Sequence, residues 1–100
     1  MVEMKPISID GRLAVGVTVD LPKTRLVAIS TGNGYIMCGA LDVGLLNTKL
    51  AEREIVAGRA LGVRTLDDLL DRPLESVTDA ARRIGVKEGM PGRDALSLMF

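Results

Sequence analysis

Leu13, Val15, Val17 and Val19 fall at every second position immediately after Asp10-Gly11. A period of two belongs to a pleated strand, and an Asp-Gly pair suits the positive backbone angles of a two-residue hairpin turn. Ile7 and Ile9 on the other side of the turn complete the hairpin. Leu21-Pro22-Lys23 interrupts the run, Leu26 to Ile29 makes a third strand, and Thr31-Gly32-Asn33-Gly34 turns the chain into a fourth, Tyr35 to Cys38. Four strands joined by such short turns predict an antiparallel meander over residues 1–40.

The period changes after Gly39. Val43, Leu46 and Leu50 share one helical stripe, with Asp42 near its start and Lys49 and Arg53 near its end, and this predicts a helix over 41–53. Residues 55–63 return to strand form. Ile55, Ala57, Arg59, Leu61 and Val63 lie on one side, and a nearly bare set of Val56, Gly58, Ala60 and Gly62 lies on the other. Thr65 and Asp68 resemble a helix cap ahead of Leu66, Leu69 and Leu70, a short helix ended by Pro73. Val77, Ala80, Ala81 and Ile84 predict a further helix stopped by Gly85, and the chain closes on a turn at 89–92 and an apolar helix from Ala95 to Phe100. The fold class is therefore α+β: an antiparallel meander followed by a helix, a strand and short C-terminal helices, in one domain spanning 1–100.

Composition bounds what such a chain does. Apolar residues make up 47% of 100 positions, yet only Tyr35 and Phe100 are aromatic, so the core is built from Val, Ile, Leu, Met and Ala. That apolar load on a small body predicts surface left uncovered in a monomer, hence a homo-oligomer. Thirteen basic residues balance thirteen acidic ones without long runs, which argues against a nucleic-acid partner. No segment reads as a secretory signal, a transit peptide or a membrane span, and a lone cysteine forms no internal disulfide, so a cytoplasmic location is expected.

Histidine is absent. That removes the commonest general base near neutral pH and the commonest zinc ligand, and no metal or cofactor is expected. Cys38 could lie at a helix start with a lowered pKa, or it could be a small buried hydrophobe beside Ile36 and Ala40. Arg59, in an apolar strand layer, needs a carboxylate or an anion; Asp42 is the first partner to expect, and the alternative is an anion site shared by Arg59 and Arg64. Asp67, Asp68 and Asp71 read as a solvated helix start rather than a magnesium site. The segment Gly89 to Gly92, near Lys87 and Arg93, reads as a turn and helix start without a full phosphate-loop pattern.

GYIMCGALD at 34–42, AGRALGVRTLDDLLDRPLESVT at 57–78 and GMPGRDAL at 89–96 together resemble the YunC-like bacterial and archaeal proteins, domain of unknown function family 1805. The likeness keeps order and spacing over nearly the whole chain. It implies a β-rich tetramerisation region at residues 1–40, and it brings no established activity. Two function classes follow. One is a small oligomeric scaffold or ligand-binding protein; the other is a thiol-dependent enzyme or carrier that holds a small anionic ligand at Cys38, Asp42, Arg59 and Arg64, where Gly34, Gly39, Gly58 and Gly62 would let a ligand approach the backbone.

Overall fold

The computed structural model describes residues 1–100 and contains a six-stranded sheet in the order β1-β2-β3-β4-β5-β6. Strands β1 (Val2–Ile9), β2 (Arg12–Leu21), β3 (Thr24–Ser30) and β4 (Tyr35–Met37) pair antiparallel in succession, so the expected meander forms. Asp10 and Gly11 take φ of 51° and 79°, the pair of positive angles that a tight hairpin of this hand requires. Strand β5 (Ala57–Arg59) then pairs parallel to β4, and β6 (Ser76–Val77) pairs antiparallel to β5. Helices α1 (Val43–Asn47), α2 (Leu66–Asp71), α3 (Asp79–Arg83) and α4 (Gly92–Ser97) complete an α+β fold.

A parallel pair needs a crossover connection, and α1 lies in it. The helix expected over 41–53 is shorter than its apolar stripe suggests. It stops at Asn47, and Ala51–Arg53 forms a separate 3-10 turn. Asn47 and Thr48 are weak helix formers, and Thr48 Oγ1 turns back to donate to the Gly44 carbonyl at 2.8 Å. The strand expected over 55–63 also contracts to three residues, because β6 offers only two partners and Gly62 turns the chain at φ 73°. Val77 belongs to β6 rather than to the following helix. The next residue, Thr78, is buried, and its hydroxyl accepts from Ala81 N–H at 3.2 Å and from Ala57 N–H at 3.1 Å, tying the start of α3 to β5.

The main core lies on one face of the sheet. Ile7, Ile9, Ala14, Val27, Ile29 and Ile36 meet Leu66, Leu69 and Leu70 of α2 and Ala95 and Leu96 of α4. Thr65 caps α2 with the reciprocal box complete: its hydroxyl accepts from Asp68 N–H at 3.0 Å, and the Asp68 carboxylate accepts from Thr65 N–H at 3.3 Å. Aspartate thus fills a position that more often carries Glu or Gln. On the opposite face a smaller cluster, Leu41, Val43 and Leu46 over Ala57, covers only the end of the sheet beside α1. The remainder of that face, over β1 to β3, is met by no helix of the chain.

Candidate functional site

Alternation in β4 decides where Cys38 goes. Ile36 and Cys38 point into the main core while Tyr35 and Met37 point to the other face, and Cys38 is only 6% exposed. Its backbone N–H donates to the Val27 carbonyl, and its own carbonyl accepts from Leu41 N–H, so the residue continues the sheet and then enters a turn. Helix α1 begins at Val43, five positions later, and its cap is Asp42, whose Oδ1 accepts from Leu45 N–H at 3.0 Å. The packed state of the thiol matches the small-hydrophobe alternative.

Arg59 stands in parallel register with Met37 and therefore faces away from Cys38 across the sheet. Its side chain is 28% exposed, and all three guanidinium nitrogens donate. Nε donates to Glu75 Oε1 at 3.1 Å, Nη2 donates to Oε1 at 2.6 Å and to Oε2 at 3.1 Å, and Nη1 donates to the Leu41 carbonyl at 3.0 Å. Arg59 is paired as its position demands, but by Glu75 and not by Asp42, because β6 lays Ser76 and its neighbour Glu75 beside Arg59 while Asp42 is committed to its helix. The Arg59 hydrogen bonds to the ionised carboxylate hold Glu75 below the usual range for a glutamate. Ser76 Oγ, next in the chain, is buried without a hydrogen-bond partner.

Arg64 lies elsewhere, in the loop entering α2. Its backbone N–H donates to Asp68 Oδ2 at 3.1 Å, and that bond leads the causes that lower the Asp68 pKa. Its side chain borders an open concavity of about 550 Å³ with Asp20, Lys23, Thr24, Arg25 and Val63. The four residues expected to converge are thus dispersed: Cys38 in the core, Asp42 and Arg59 near one another on the opposite face, and Arg64 at the margin by the β2–β3 turn. Gly34 and Gly58 serve packing, while Gly62 serves a turn at positive φ with open space beside it. A Cβ on Gly58 would meet Leu74 Cδ1 at 2.7 Å, and one on Gly34 would meet Val56 at 2.9 Å, so side chains and not a ligand occupy those approaches.

In the acidic helix start two of the three carboxylates are engaged. Asp68 closes the cap box, Asp71 accepts from Arg93 Nη2 at 2.8 Å, and no group of three or more Cys, Asp or Glu side chains converges to hold a metal ion. Glu75, Lys23 and Arg25 are the residues that the sequence did not single out. The acid two positions after Pro73 was the available sign for Glu75, but it acquires meaning only once β6 is known to pair with β5.

No helix is long and apolar enough to cross a membrane. Residues 37–99 match the family described as Domain of unknown function (DUF1805). Across 100 residues the chain is 63% identical to the "Uncharacterized protein YunC" of Bacillus subtilis (strain 168), covering 100% of this chain and 99% of that one. A crystal structure of a protein of unknown function from Thermoplasma acidophilum superposes with a TM-score of 0.89 at 29% identity, covering 100% of this chain and 94% of that one. The implied resemblance is therefore sound at the level of sequence and of fold, and the chain belongs to the DUF1805 family of YunC-like proteins.

Proposed function

We propose that this chain is the subunit of a homo-oligomeric scaffold or ligand-binding protein, a tetramer, joined through the β-rich region of residues 1–40. One observation carries the reading. The face of β1 to β3 turned away from α2 presents Val2 and Met4, which are 64% and 69% exposed, beside Leu13 at 67%, with Val15, Val17 and Val19 along the same strand. The cross-strand registers Val2↔Val19, Met4↔Val17, Val17↔Ala28 and Val19↔Leu26 make these side chains one continuous apolar layer. A layer of this kind in water marks an association surface. Strand β1 is the outer edge of the sheet, where Lys5 and Pro6 discourage addition of a further strand. Contact is therefore face to face.

Light scattering tests the proposal. The parent has a mass several-fold above 10.7 kDa, about four times that value for the tetramer, and Val17→Glu at the centre of the layer lowers it while preserving the circular dichroism of the fold. A parent that runs as a monomer at micromolar concentration overturns the reading.

A further inference from the structure

The concavity beside the β2–β3 turn deepens the ligand-binding part of that proposal and rests on it. Its lining carries three cations, Lys23, Arg25 and Arg64, against one carboxylate, Asp20. Asp20 is already committed: its Oδ1 accepts from Arg25 Nε at 2.6 Å, which aims the guanidinium and leaves its terminal nitrogens for another acceptor. Five ion pairs join side chains in the molecule, and neither Lys23 nor Arg64 takes part in any of them. Lys23 also holds a backbone φ of 58°, an angle that Asn or Gly adopts at lower cost. The turn alone gives no reason for a lysine there.

These features specify a ligand class. Val63 is the sole apolar residue of the lining, so a hydrophobic molecule finds almost nothing to pack against, while a space of about 550 Å³ exceeds what a single simple ion needs. After the Asp20–Arg25 pair is set aside, two uncompensated positive charges remain. A phosphate monoester carries roughly 1.5 to 2 negative charges at neutral pH, and its oxygens match the planar forks of Arg25 and Arg64, with the Thr24 hydroxyl at the rim as a further donor. We infer that this concavity binds the phosphate group of a small phosphorylated molecule, with Arg64 and Lys23 as the charge-bearing contacts and Asp20 as the residue that orients Arg25. The adjoining hollow of about 360 Å³ shares Asp20, Arg25 and Arg64 and sets Lys5 against Glu3 and Asp67, so it gives room for the uncharged rest of such a molecule and not for a second anionic group.

The test is a titration of the parent with inorganic phosphate and with pyrophosphate against chloride at matched ionic strength, followed by amide NMR shifts. Shifts centred on residues 23–25 and 63–65 are expected, with pyrophosphate the tighter of the two. Arg64→Gln and Lys23→Asn each weaken the apparent affinity about tenfold, the loss expected from removing one charge-assisted contact. Arg72→Gln, which removes an exposed cation outside the concavity, leaves it unchanged. Asparagine is compatible with the positive φ of position 23, so the turn survives that substitution. Shifts located elsewhere, or affinities indifferent to both substitutions, overturn the site. Because every contact lies within one chain, an oligomer that ignores phosphate removes this inference and leaves the assembly standing; a monomer that binds phosphate does the reverse.

Discussion

Strand β2 sends two very different sets of side chains to the two sides of one sheet. Ala14 and Gly16 go toward the helices, where Leu66 of α2 lies so near that a Cβ on Gly16 would meet its Cδ1 at 2.7 Å. Leu13, Val15, Val17 and Val19 go to the side that no helix covers. The larger apolar residues of this strand therefore avoid the chain's own core. Helix–sheet contact favours small residues where backbones come close, whereas branched side chains on an open face provide area for another surface to bury. On the helix side the strand is small at its centre and polar toward its ends, with Arg12, Thr18 and Asp20, whereas the open side is large and apolar along its whole length.

Opposite substitutions on the two faces give the largest test of this contrast. Leu69 is wholly buried in α2, and Leu69→Ala is expected to cost about 2 to 5 kcal/mol through lost transfer energy and the cavity it leaves. That corresponds to a fall in melting temperature of roughly 10 °C or more for a domain of this size, at any protein concentration. Val17→Ala removes apolar area that pairs with Met4 and Ala28 on the open face, and its effect should depend on how dilute the sample is, because it acts through association. Melts at two concentrations a hundredfold apart measure both. If the Val17→Ala deficit is the same at each, the open face does not contribute through assembly and the distinction between the faces fails.

This contrast also marks how far the sequence could be read. The meander was legible because its turns are local chemistry: Asp10-Gly11 and Thr31-Gly32-Asn33-Gly34 specify reversals without reference to the rest of the chain. Alternation shows that β2 has two faces, yet it does not say which one the helices will cover, since both carry apolar or small residues. The short strands β5 and β6 escaped for a related reason. Each exists only through pairing with a neighbour, and Ser76-Val77 has no periodicity to reveal it. The candidate site was legible only in the requirement that Arg59 be paired. Its partner was not, because proximity in sequence favoured neither Asp42 nor Glu75, and the burial of Cys38 on the other side of the sheet depends on the parity of β4.

A smaller effect tests the boundary where the open face meets its covered end. Asp42→Ala removes the side-chain cap of α1 and is expected to cost about 1 kcal/mol. Combined with Arg59→Ala, it should show weaker coupling than the Arg59–Glu75 pair, since the two side chains share no hydrogen bond although Arg59 donates to the carbonyl of Leu41 next to Asp42. Arg59→Ala combined with Glu75→Gln should be clearly non-additive, because either single change already ends the bidentate pair. Thermal or denaturant unfolding of the singles and doubles supplies both cycles. Coupling between Arg59 and Asp42 together with none to Glu75 would return the pairing to Asp42, the partner first expected, and would shift the edge of the covered region toward α1.

The smallest expected effect compares the faces by acid titration. Asp68 sits on the helix-covered side and Glu75 beside the other face, and both carboxyls are held below their ordinary values of 3.8 and 4.5 by different donors. For Asp68 the leading cause is the Arg64 backbone N–H, helped by Thr65; for Glu75 it is the Arg59 side chain. A carboxyl with a depressed folded-state pKa stabilises the fold fully above its unfolded value, and that contribution disappears as the pH falls through the lower, folded value. Stability should therefore decline below about pH 5. Because both groups lie near solvent, screening keeps each contribution modest. The informative measurement is site-resolved: carboxyl carbon shifts followed by NMR in the parent and in Arg59→Ala. Glu75 should titrate below 4.5 in the parent and move back toward that value in the variant, while Asp68, held by backbone N–H groups on the other side of the sheet, should not move. A Glu75 that titrates at 4.5 in the parent would mean that the ion pair does not persist in solution. Asp68 shifting along with Glu75 would mean that the two faces are electrostatically coupled through the sheet, which a hydrogen-bonded cap on one side and a guanidinium pair on the other give no reason to expect.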